Sequence, residues 1–313
     1  MILNVVLLIV GVAIVLWGAD RLTDGAVGLA ERMGISQVVI GLTVVAMGTS
    51  MPEFMVSLVS AIKGTPDLAV GNVVGSNIFN SMLIVGCSAM VAPMAILKTT
   101  VRKDIPFSLI ASVALYMMVV DGTSADITRW EAGILFAMFI IFMIFTLRSA
   151  KNETQKVEEQ KNFMNSWKAV FFLLLGLGCL IGGSNLFVDN ASQVAKSLGV
   201  SDAVIGLTVV AGGTSLPELA TSIVAARKGN SGIAIGNVLG SNVFNLLFIL
   251  GITGMISPMA IEGITSVDLS MMVISMILLW LFSYTKYTIE RWEGTLLTVL
   301  FLGYMGYLVH GAM

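Results

Sequence analysis

Charge is what this sequence most lacks: Asp, Glu, Lys and Arg together make up 12% of its 313 residues, against 57% hydrophobic ones. Ordinary soluble domains carry roughly 25% charged residues. With a mean hydropathy of +0.94, most of the protein is expected to have lipid as its solvent. Histidine occurs once, at His310, and cysteine twice, at Cys87 and Cys179, in neither CxxC nor Cys/His spacing. This argues against a zinc site or a structural disulfide and leaves the cysteines as small buried hydrophobes. It also removes the usual general base. Ser50 and Ser215 have no neighbouring His or Lys, and Gly48-Thr-Ser-Met-Pro52 is not GxSxG, so an intramembrane hydrolase is disfavoured. A net charge of -2 and the absence of basic runs interleaved with aromatics argue against nucleic acid as a partner. No positively charged leader precedes the apolar stretch Met1 to Ala19, which is expected to be a retained first helix, not a cleaved signal.

Long apolar runs are what the sequence does have. A spanning helix needs about 20 mostly apolar residues, and ten segments qualify or nearly do. In the first half they run near Ile2 to Ala19, Ile35 to Ile62, Leu68 to Leu97, Ile105 to Val120 and Ala132 to Leu147. In the second they run near Ala169 to Val188, Ala203 to Ala226, Gly232 to Ile261, Leu269 to Thr285 and Gly294 to His310. The expected fold is an all-α polytopic membrane protein of ten transmembrane helices. A first five-helix repeat (1–147), a polar linker (148–168) and a second repeat (169–313) make up the chain.

The halves are copies. Gly41-Leu-Thr-Val-Val-Ala46 recurs as Gly206-Leu-Thr-Val-Val-Ala211, and Gly48-Thr-Ser-Met-Pro-Glu53 as Gly213-Thr-Ser-Leu-Pro-Glu218, both 165 residues on. At the same offset, Gly71-Asn-Val-Val-Gly-Ser-Asn-Ile-Phe-Asn80 becomes Gly236-Asn-Val-Leu-Gly-Ser-Asn-Val-Phe-Asn245. Five spans per copy is an odd number, so the second copy must enter the membrane from the opposite side, giving inverted repeats. The basic residues agree: with this span count, 14 of the 17 Lys and Arg fall on one side, leaving Lys63, Arg129 and Lys196 on the other. By the positive-inside rule the linker is cytoplasmic and both termini are outside.

Glu53 and Glu218 each lie inside an otherwise uncharged span, with no Lys or Arg at comparable depth. A carboxylate in hydrocarbon is costly and marks an ion or proton pathway. Thr49, Ser50, Thr214 and Ser215 place hydroxyls within a turn of the glutamates. Pro52 and Pro217 cannot donate to the carbonyls of Gly48 and Gly213, so the helices should break there and let carbonyls such as those of Ala46 and Ala211 turn toward an ion. Ser76 and Asn80 share one helix face, as do Ser241 and Asn245, with Asn72 and Asn237 on the same stripes. Such an all-oxygen set suits calcium, sodium or magnesium and not zinc or copper. Two ionised carboxylates about 6 Å apart at an effective dielectric near 20 would repel by roughly 3 kcal/mol. One divalent ion or two monovalent ions would cancel that repulsion.

These duplicated motifs resemble the cation/calcium antiporter superfamily, and within it the prokaryotic sodium/calcium exchangers, over essentially the whole chain. The resemblance implies ten helices with ion subsites clustered between the second, third, seventh and eighth. It implies that Glu53 and Glu218 ligate calcium and sodium, and that Thr49, Ser50, Ser76, Thr214, Ser215 and Ser241 complete sodium sites with the carbonyls of Ala46 and Ala211. It implies that the first and sixth helices slide as a gate. No resident cofactor is expected; the partners are the transported ions and the bilayer, and a prokaryotic cytoplasmic membrane is the expected location. Some family members carry Asp where this chain has Asn245, so only two buried carboxylates are expected here. A proton-coupled calcium exchanger and a passive channel are the competing transport readings.

Overall fold

The computed structural model describes residues 1–120, 126–153, 164–198, 209, 211–261 and 263–311. Residues 154–163 of the expected linker and residues 203–208 and 210 of the expected seventh span lie outside them. The chain is mostly helical. Its helices are α1 (Ile2–Met33), α2 (Gln37–Thr49), α3 (Met51–Ile62), α4 (Pro66–Val91), α5 (Thr100–Val120) and α6 (Arg129–Glu153). They continue as α7 (Ser166–Ser197), α8 (Ala211–Thr214), α9 (Leu216–Arg227), α10 (Ser231–Ile256), α11 (Ser266–Tyr284) and α12 (Arg291–Gly311). Eight of these are long and apolar enough to cross a membrane alone, and the pair α2 and α3, bent by 47° at Ser50, qualifies as a ninth span.

Burial sorts the helices into a centre and a coat. The apolar window of α10 is 94% buried and that of α4 is 67% buried, whereas the other single spans stay at or below 33%. The two helices that carry the asparagine stripes therefore form the core, and the others present apolar side chains such as Leu16, Phe145, Phe171 and Leu302 outward, as lipid requires. Between helices in lipid, close packing replaces the hydrophobic effect, so small residues mark the seams. Along α1 and α7 they recur every seven residues. A Cβ on Gly11, Gly18 or Gly25 would come within 3.0 Å of the α7 carbonyls of Gly183, Gly176 or Ala169.

The helix α1 runs well past Ala19, where the apolar run ends. Its second half carries Asp20, Arg21 and Asp24, which are neutralised locally. Arg21 pairs with Asp20 and lies 3.6 Å from Asp24, while Lys228, just beyond α9, reaches Asp20 at 2.5 Å and Asp24 at 2.7 Å. Gly34, at φ 64°, then closes the helix in the left-handed conformation that glycine adopts without penalty.

Four two-residue strands, for which the all-α expectation made no provision, clip the halves together. β1 (Met94–Ala95) pairs antiparallel with β4 (Thr288–Ile289), and β2 (Asp126–Ile127) with β3 (Met259–Ala260). Segments so short leave no alternation for a sequence to show.

Candidate cation site

Both glutamates sit in the first turn of a helix that begins at a break. Ser50 (φ -84°, ψ 9°) interrupts the path from α2 to α3, and Ser215 (φ -90°, ψ 6°) does the same between α8 and α9. The prolines follow each break by two residues, in a first turn where a missing N–H leaves no intrahelical bond unmade. The carbonyl of Ala46 is still engaged by the helix: it accepts the Ser50 N–H at 3.0 Å and the Thr49 hydroxyl at 3.4 Å. Ala211 opens the short helix α8.

The side chains then cross between the halves. Ser50 Oγ donates to Glu218 Oε1 at 2.8 Å, and Ser215 Oγ donates to Glu53 Oε1 at 3.1 Å. Each break therefore serves the other half's carboxylate. Ser76 lies 3.3 Å from Ser215, Ser241 is 3.4 Å from Glu218 Oε1, and Thr214, half-buried, is the residue just before Ser215. Thr49, besides its contact with Ala46, donates to Asn237 Oδ1 at 3.1 Å. Glu53 and Glu218 are each only 1% exposed, although the site lies in a chain with so few charges.

Proximity across the halves depends on two glycines of the second motif. A Cβ on Gly236 would stand 2.6 Å from the Val38 carbonyl oxygen, and one on Gly240 would stand 2.6 Å from that of Leu42. Only hydrogen at these positions lets α10 lie backbone to backbone against α2. Asn80 and Asn245 lie in π-helical stretches, Phe79–Ile84 and Phe244–Ile249, where the wider turn re-aims side chains. Such turns are frequent at functional sites.

Four oxygens remain over. Glu53 Oε2, Glu218 Oε2, Asn80 Oδ1 and Asn245 Oδ1 are buried without a hydrogen-bond donor among the described residues. No Lys or Arg among those residues forms an ion pair with either glutamate. An arrangement that buries acceptors and offers them no donor is suited to a cation.

A second layer escaped the sequence reading. Asn72 Nδ2 holds the Glu53 carbonyl at 3.2 Å and Ser57 Oγ at 3.0 Å; Asn237 Nδ2 holds the Glu218 carbonyl at 3.4 Å and Ser222 Oγ at 3.1 Å. Ser57 and Ser222 bond onward to the carbonyls of Ala69 and Ala234. These braces fix the backbone that carries each carboxylate. Their signal was present in the sequence, since Ser57 and Ser222 stand one turn after the glutamates and 165 residues apart.

Comparison with known proteins shows the family and the fold. The family profile described as sodium/calcium exchanger protein matches residues 3–148 and 168–309. The inner membrane protein YrbG of Escherichia coli (strain K12) is 35% identical, covering 98% of this chain and 97% of its own. The sodium/calcium exchanger MaX1 of Methanosarcina acetivorans is 31% identical over 96% of this chain and 97% of its own. Among solved structures, the sodium-calcium exchanger NCX_Mj, soaked with Na+ and Sr2+, superposes with a TM-score of 0.86 at 33% identity, covering 98% of both chains. An integral membrane protein with this profile over most of its length, relatives of equal length and the same fold as a solved exchanger belongs to the sodium/calcium exchanger family.

Proposed function

We propose that this protein is a secondary active antiporter that exchanges calcium for sodium across a prokaryotic cytoplasmic membrane by alternating access. The observation that carries the reading is the set of four donorless buried oxygens beside two crossed glutamates. Bare carboxylates in this position repel each other and have lost their water, so the site is stable only when bound cations or protons neutralise it. One calcium neutralises both glutamates, and two sodium ions do the same from separate subsites. Occupation by one kind of ion therefore excludes the other, and a protein that changes sides only when neutralised exchanges them. In this reading Glu53 and Glu218 take calcium and sodium. Asn80 and Asn245 add amide oxygens, and Thr49, Ser50, Ser76, Thr214, Ser215 and Ser241, with the Ala46 and Ala211 carbonyls, complete the sodium subsites.

The architecture that goes with it has ten spans. The eight single helices and the bent pair α2 and α3 are joined by α8 and α9 as the tenth, in two inverted halves, 1–147 and 169–313. The linker is then cytoplasmic and both termini are outside. The matching breaks at Ser50 and Ser215 support it, as does the crossed pattern of serine to glutamate bonds.

The test is calcium uptake into proteoliposomes with an outward sodium gradient, for the wild type and Glu53→Gln. Sodium-driven uptake that the substitution abolishes is expected. Uptake indifferent to both overturns the proposal; uptake that follows a proton gradient and ignores sodium replaces it with a proton-coupled exchanger.

A further inference from the structure

Resting on the exchanger reading, we propose that Asn242 is a positioning residue that locks the Asn80 carboxamide with its oxygen toward the ion and its NH2 away from it. An asparagine side chain offers a carbonyl oxygen at one corner and two N–H donors at the other. As a cation ligand it works in one orientation and repels in the other, so something must choose between them.

The choice begins at Met276 in α11, fully buried, whose thioether sulfur can accept a hydrogen bond but has none to give. Ser81 Oγ donates to that sulfur at 3.2 Å, which leaves the serine's lone pairs as acceptors. Asn242 meets both groups with its NH2: Nδ2 lies 2.8 Å from Ser81 Oγ and 3.5 Å from the Met276 sulfur. Turned over, Asn242 would place its carbonyl against a sulfur that cannot donate, and Ser81 would have to give up its bond to that sulfur in order to donate instead. Its Oδ1 is thereby directed to the opposite side, where it accepts from Asn80 Nδ2 at 3.1 Å. The Asn80 NH2 faces Asn242, and Asn80 Oδ1 is left buried without a donor among the described residues. Reversing Asn80 would set two carbonyl oxygens against each other and aim N–H groups at a cation. The polarity of a methionine outside the site thus passes through one amide to a ligand inside it.

The second half shows no such relay among the described residues. The residue matching Asn242 at the 165-residue offset is Asn77, and the one matching Ser81 is Leu246. With Leu246 where the other half has Ser81, Asn77 Nδ2 donates to the Val73 carbonyl of its own helix at 2.7 Å and makes no bond to Asn245 among the described residues. Asn80 is the fixed amide of the site and Asn245 the one without this restraint.

The experiment measures calcium affinity of purified protein in sodium-free buffer, together with the calcium KM of sodium-driven uptake. Asn242→Leu keeps volume and burial but removes the acceptor, and calcium affinity should fall about tenfold or more, as is usual when a partner orienting a metal ligand is lost. Asn77→Leu is the matched control, equally buried and equally apolar, and should stay within about twofold of wild type because it orients no ligand. Equal losses in Asn242→Leu and Asn77→Leu, or wild-type affinity in Asn242→Leu, overturn the positioning role. Should Asn242→Leu not fold, Ser81→Ala is measured in its place: a lower affinity supports the relay and an unchanged one refutes it. A wild type that binds no calcium and shows no sodium-driven uptake would instead overturn the exchanger reading itself.

Discussion

Replacing Gly240 with alanine tests whether the backbone contact between α10 and α2 sets the geometry of the cation site. The added Cβ would lie 2.6 Å from both the Leu42 carbonyl oxygen and the Ala46 Cβ, and 2.7 Å from the Leu42 Cα. Ordinary contact begins at 3.4 Å, so the two helices must part by about 0.8 Å. None of these three atoms is the end of a flexible side chain, and overpacking of this kind costs about 1–3 kcal/mol. The functional effect should be larger than the loss of stability. Moving α2 shifts Ala46, Thr49 and Ser50 together, and Ser50 is the hydroxyl that reaches across to Glu218. Losing the orientation of cation ligands typically costs about ten- to a hundredfold in affinity or activity. Sodium-driven calcium uptake by Gly240→Ala should therefore fall between about tenfold and a hundredfold, with a modest drop in melting temperature. Gly303→Ala serves as the control, since a Cβ there meets nothing within 4 Å. Uptake by Gly240→Ala within twofold of wild type would refute the claim that this contact sets the site.

Two further substitutions probe the crossed bonds and the ion cluster on α1. Ser50→Ala removes a buried donor to a carboxylate, a bond worth about 1.5–3 kcal/mol, so the melting temperature of the ion-free protein should fall. The same change should add little in a Glu218→Gln background but keep its effect in Glu53→Gln; the opposite pattern would mean the bonds are not crossed. Lys228→Met removes the bridge to Asp20 and Asp24, whose side chains are about a third exposed. Its cost is therefore about 1 kcal/mol, read as a lower melting temperature that shrinks in high salt. A loss that salt leaves untouched would show that the bridge does not act through charge.

The sequence showed the polar intruders far better than it showed their partners. Glu53, Glu218 and the prolines stand out because lipid tolerates neither charge nor an interrupted ladder without a reason, and the breaks at Ser50 and Ser215 fall where the prolines said they would. The end of α1 was misplaced because hydropathy reports where the chain is apolar, not where it is helical. Asp20, Arg21 and Asp24 end the apolar run, yet the helix continues to Met33, their charges satisfied by one another and by Lys228. The crossed serines were out of reach for another reason. Spacing within a half places Ser50 beside Glu53, and nothing in that half states the register in which the other half will meet it. The relay through Asn242 was hidden in the same way, because it depends on Met276, distant in sequence and apolar on any scale.

The crossed bonds have a consequence for how the site must be counted. Ser50 to Glu218 and Ser215 to Glu53 are a single contact written twice, in which one position of either half meets the position three residues further along in the other. Reciprocity of that kind belongs to identical units meeting about a two-fold axis, as in an isologous dimer. A lone half would bury a carboxylate without its donor, and two copies of one half would supply each other's. Fusion into one chain adds what such a dimer cannot have, the freedom to differ at matching positions. Ser81 stands where the other half has Leu246, and a difference of that kind gives a site built from two copies a left and a right.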